Sequence, residues 1–88
     1  MSTALDDLIV ERIGFLQEQL GAEDDPAYIR TFQAQIKVLQ TAQLDRLAEL
    51  IEIRQKDLQS SGSVFEKDRI FAELDALEWL QRQAQKLH

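Results

Sequence analysis

A long stretch without helix-breaking residues constrains this chain more than any other feature of its sequence. Residues 26–59 contain no Gly, and their single Pro is Pro26 itself, which follows Asp25 as a first helical residue follows its cap. Apolar side chains recur at helical spacing through the stretch, at Ile29, Phe32, Ile36, Leu39, Leu44, Leu47, Leu50, Ile51 and Leu58. The pattern predicts one central helix over residues 26–59, about 50 Å long at a rise of about 1.5 Å per residue.

The apolar stripe of this central helix does not keep a heptad repeat. A heptad seam through Ile29 and Ile36 next meets Gln43, whereas Ile36, Leu47 and Leu58 are eleven residues apart. Such spacing follows a straight helix more closely than a left-handed coiled coil. We therefore expect a fairly straight central helix that packs against different partners at its two ends.

Two further helices are predicted, one on each side of the central helix. A T-x-x-D motif beginning at Thr3 opens the first, over residues 4–20, and an S-x-x-E motif beginning at Ser63 opens the other, over residues 64–87. Both connections are short, which favours antiparallel neighbours.

The predicted fold is a single all-α domain over residues 1–88. Its three helices form either an antiparallel bundle or an elongated helical hairpin with a long central helix. No β-type alternation of apolar and polar side chains competes with this interpretation. Four apolar residues of the main stripes are expected in the core: Ile36, Leu47, Leu74 and Leu77.

The residue types that most catalytic and metal sites need are scarce in this chain. There is no Cys, and the single His is His88. Thiol chemistry, disulfides and the common zinc sites are therefore excluded, as are Ser-His-Asp arrangements. Asp45, Glu49 and Glu52 share a helix face, but basic neighbours favour a solvated, salt-bridged surface over a metal or acid–base site. We expect a non-enzymatic protein with no cofactor.

Acidic residues are concentrated at the start of the chain. The formal net charge is −6, and residues 1–25 hold seven acids and one base, while the rest is balanced. A chain of this sign is not steered toward phosphate backbones, so no direct nucleic-acid binding is expected. The acids either keep the protein soluble or form a patch for a basic partner, including mimicry of nucleic acid.

No apolar stretch approaches the roughly 20 residues needed to span a bilayer, so no membrane association is expected. The first ten residues carry Asp6 and Asp7 and no basic residue, which is unlike a secretory signal. A cytoplasmic location is expected.

Second apolar stripes on the first and last helices point to a binding partner. Large and small apolar side chains at spacings of about seven lie across each helix from its main stripe: Leu8, Phe15, Phe65, Ala72, Ala76 and Trp79. A helix that is apolar on two sides needs two neighbours, and three helices in one chain do not supply enough.

We therefore expect a self-associating helical interaction module, an adaptor or structural component, and most simply a homodimer. Two alternatives stay open: a monomer whose stripe binds a second protein, and an acidic inhibitor or nucleic-acid mimic that binds a basic partner. Single exposed apolar side chains are also normal on soluble proteins.

Overall fold

A computed structural model describes residues 4–87, and all regular secondary structure within that range is helical. There are four α-helices and one short 3₁₀ turn, so the all-α class is confirmed and the number of helices is corrected from three to four. The helices are α1 (Ala4–Ala22), α2 (Pro26–Thr41), α3 (Leu47–Ser60) and α4 (Val64–Lys86), and the 3₁₀ turn is Leu44–Arg46. The predicted capping residue Thr3, and His88, lie outside the described residues.

The two internal helix starts form as the sequence predicts. The Asp25 carboxylate accepts a hydrogen bond from the Ala27 N–H at 2.9 Å, with Pro26 in the first turn of α2. At α4 the Ser63 hydroxyl accepts the Glu66 N–H at 3.4 Å. Each cap satisfies a backbone donor that has no partner inside its helix.

The predicted continuous helix over residues 26–59 is wrong, because the chain leaves helical geometry at Ala42 and Gln43. Their backbone is extended, with φ −65° and ψ 134° at Ala42 and φ −85° and ψ 111° at Gln43. The Arg46 guanidinium fixes the far side of this break. It donates to Gln43 Oε1 at 3.0 Å and to both carboxylate oxygens of Glu49 at 2.9 and 2.7 Å.

The break lets α2 and α3 pack against the same helix, α4. An unbroken helix would be about 50 Å long, whereas the fold with the break measures 40 Å in its longest dimension. Helix α4 is only about 35 Å long at the same rise per residue. Interrupting the helix lets α3 run back along α4, where Leu47 and Ile51 are buried.

The four helices lie side by side in the order α1, α2, α4, α3. Helix α4 packs against both α2 and α3, α1 packs mainly against α2, and within residues 4–87 α1 and α3 do not approach one another. The shortest dimension is accordingly only 18 Å. Arg54 of α3 contacts Glu73 of α4 with Nη2 at 3.3 Å from the carboxylate, part of the antiparallel pairing of these helices.

The hydrophobic core surrounds α4. Its most deeply buried side chains are Leu77 and Leu80, at 1% and 0% exposure. All four predicted core residues are buried, which confirms that part of the sequence interpretation: Ile36, Leu47, Leu74 and Leu77.

Candidate interaction surface

The second apolar stripe predicted on α4 is interrupted in its middle. Ala72 and Ala76 are buried, at 3% and 6% exposure, so their expected position on an outward face is wrong. Leu16 of α1 and Leu39 of α2 line the same cavity as Ala76. The break in the predicted long helix explains this, because α3 covers one side of α4 and leaves α2 and α1 to cover the other.

The three other residues of the predicted surface are Leu8 and Phe15 in α1 and Trp79 in the second half of α4. Leu8 is half-buried, Phe15 is exposed, and Trp79 is half-buried against the core. The Arg12 guanidinium carbon lies 5.1 Å from the centre of the Phe15 ring and 5.5 Å from that of Trp79. Trp79 is therefore covered by its own chain, and Arg12 joins α1 to α4 through cation–π contacts.

Phe65 is the predicted surface residue that is most open to solvent, with 70% of its area exposed. Val64 and Phe71 are exposed to 71% and 53%. At about 100° per residue these three side chains and Asp68 fall within about 120° of the helix circumference. We call Val64, Phe65, Asp68 and Phe71 the α4 patch.

Sequence reasoning missed Val64, Asp68 and Phe71. The sequence does contain a signal for two of them, because Phe71 follows Val64 by seven residues, the same spacing that separates Phe65 from Ala72. The three missed residues stay exposed because, at about 100° per residue, they lie across α4 from the buried Leu77 and Leu80.

A groove of about 530 Å³ lies between α2 and α4 beside this patch, with Arg30 and Thr31 on one wall and Phe65 and Asp68 on the other. The Arg30 guanidinium carbon lies 5.1 Å from the centre of the Phe65 ring.

Two charges at this groove, Arg30 and Asp68, form no ion pair within the described part of the chain. The other base, Arg69, is paired with Glu66 at 3.9 Å and with Glu73 at 3.4 Å. The groove therefore offers one unpaired cation and one unpaired anion beside exposed aromatic rings.

Some acidic residues have structural partners within the chain. Glu23 Oε1 accepts the backbone N–H groups of Asp24 and Asp25 at 3.2 and 3.1 Å, which orders the loop between α1 and α2. Hydrogen bonds from the exposed Arg46 lower the pKa of the Glu49 carboxyl below its ordinary value. Glu52 pairs with Lys56 at 3.3 Å.

Comparison with known proteins finds no match among protein-family models, curated proteins or solved structures. Between residues 4 and 87 no three acidic side chains are grouped so that they would hold a metal ion. Over the same residues none of the helices combines the length and the apolar character needed to cross a bilayer.

Proposed function

We propose that this chain is a non-enzymatic, helical protein–protein interaction module that self-associates through the α4 patch, as an adaptor or structural component. The observation that carries the proposal is the grouping of Val64, Phe65 and Phe71 on one exposed face of α4. Adjacent exposed apolar side chains rimmed by polar residues are typical of interaction sites. Aromatic residues and Arg are enriched at such sites, and Arg30 lies over Phe65.

The size of the patch sets the expected strength of association. The exposed parts of Phe65 and Phe71 amount to roughly 200–300 Å², taking about 150–250 Å² for a whole aromatic side chain. A stable interface buries about 800 Å² per partner. The aromatic rings therefore supply about a third of that area, and we expect a weak, concentration-dependent dimer with a dissociation constant in the micromolar range.

Sedimentation velocity of the native chain and a Phe65→Ser, Phe71→Ser double variant tests this function. We expect the native mass to rise from 10.2 kDa toward about twice that value as concentration increases from about 5 to about 500 µM, a range that brackets micromolar affinity. The double variant should stay at 10.2 kDa while keeping its helical circular dichroism.

The matched control is Val10→Ser on α1, which is as exposed as Val64 but lies outside the patch. It should associate like the native chain. A native chain that stays at 10.2 kDa throughout contradicts the proposed self-association. The other interpretation of the sequence, in which the acidic first quarter of the chain binds a basic partner, stays a prediction.

A further inference from the structure

We infer that a second copy of this chain docks on the α4 patch about a two-fold axis, so that Asp68 of each copy pairs with Arg30 of the other. The inference rests on the proposed self-association and adds the register of the two copies and the residues that set it.

The first argument is charge complementarity. In a two-fold interface the same surface of both copies meets, so every contact occurs twice, with the roles of the two copies exchanged. A surface that carries charges of only one sign would repel its own copy. A surface with one unpaired cation and one unpaired anion can form two ion pairs with its copy, one on each side of the axis. Arg30 and Asp68 form such a surface, since they line one groove and neither is ion-paired within residues 4–87.

The outer face of α1 shows the opposite pattern. Asp7, Glu11 and Glu18 are exposed there and follow one another at helical spacing. Two copies meeting at this face would bring carboxylates against carboxylates, and like charges in an interface are strongly unfavourable. Exposed Phe15 beside this face is therefore a poorer anchor for self-association than Phe65.

The second argument is the chemistry of the Arg30 and Asp68 side chains. A guanidinium is planar, so it presents one face to an aromatic ring while its N–H edge stays free for a carboxylate. Arg30 already lies over the Phe65 ring, which limits the side-chain freedom to be lost on docking. Asp68 lies between Phe65 and Phe71, three residues from each, so docked rings would shield its carboxylate from water and strengthen the pairing.

Charge exchange tests this register. Sedimentation velocity is measured for the native chain, Arg30→Asp, Asp68→Arg and the variant with both changes. Each single variant places like charges at both contacts, so we expect its self-association to be at least about tenfold weaker than that of the native chain. An equimolar mixture of the two single variants should form a heterodimer, because both of its contacts join opposite charges. The variant with both changes should dimerise like the native chain.

Glu11→Arg and Arg82→Asp are the matched controls. Both side chains are exposed, and the two changes alter net charge as Asp68→Arg and Arg30→Asp do. Neither should weaken the dimer. Single variants that dimerise like the native chain would show that the second copy binds in another register. The same conclusion would follow if neither the equimolar mixture nor the variant with both changes regained dimer formation. These results overturn the inferred register. The proposed function would still stand if the native chain dimerises and the Phe65→Ser, Phe71→Ser double variant does not.

Discussion

Compared with its second half, the start of α4 leaves large apolar side chains in contact with solvent, although Ile70 there is buried. In the second half, α2 and α1 cover one side of the helix and α3 covers the other, so even Ala76 is buried. Near the start, Phe65 and Phe71 lack such cover. The difference shows that burial along one helix is decided by which neighbours reach it, and not by residue type.

The strongest test of this comparison is truncation in each half of α4. We expect Leu77→Ala to lower the free energy of unfolding by about 2–5 kcal/mol, because it removes buried contacts and leaves a cavity. Phe71→Ser should change it by no more than about 0.5 kcal/mol, as is usual for surface positions. Urea denaturation at low protein concentration measures both. Equal losses would show that the two halves do not differ in packing.

A second test enlarges the side chain at Ala72, which the sequence alone predicts to lie on an exposed face of α4. Ala72→Leu should lower the free energy of unfolding by about 1–3 kcal/mol, since Ala72 is buried and a larger side chain has to displace its neighbours. The matched control is Ala48→Leu on the exposed face of α3, which should be nearly neutral. An unchanged denaturation midpoint for Ala72→Leu would place Ala72 on the surface after all.

A third test weakens the ion pair between Arg54 of α3 and Glu73 of α4. Glu73, with 17% of its side chain exposed, binds Arg54 and Arg69. Glu73→Gln removes the negative charge with little change in shape, and we expect it to cost about 1 kcal/mol of unfolding free energy. Glu52→Gln, which breaks the exposed pair with Lys56, is the control and should cost less. A larger loss from the control would mean that Glu73 does not join the two helices.

The smallest expected effect concerns the break that turns α3 back along α4. Gln43 has φ −85° and Ala42 before it is extended, both compatible with proline at position 43. Gln43→Pro removes the exposed hydrogen bond from Arg46 to Gln43 Oε1, yet we expect it to change the free energy of unfolding by less than about 1 kcal/mol. Gln55→Pro, inside α3, should cost about 3 kcal/mol or more. Comparable losses for the two substitutions would indicate a continuous helix through residue 43.

Much of the fold follows from local signals. The caps at Asp25 and Ser63 fix two helix starts because each carboxylate or hydroxyl binds a donor within three residues along the chain. The break at Ala42 and Gln43 has no such signal, since neither residue forbids a helix. Only the loss of the heptad seam at Gln43 indicated a change of partner.

The candidate site divides in the same way. Phe65 and Trp79 belong to one predicted stripe, yet Phe65 is exposed and Trp79 is packed against the core beneath Arg12. Helical spacing places side chains on a face, but it does not state how many helices cover that face. Arg30 is 35 residues before Phe65 in the sequence, so no local pattern linked the two.

The sequence by itself determined that this chain forms helices, where two of them begin, and that Ile36, Leu47, Leu74 and Leu77 are buried, because these features follow from caps and apolar spacing within a few turns. The tertiary structure alone decided that the central helix breaks, that Ala72 and Ala76 are core, and that Val64, Phe65 and Phe71 remain outside. Those outcomes depend on which helices pack around α4, a property of the packed molecule that no single segment carries.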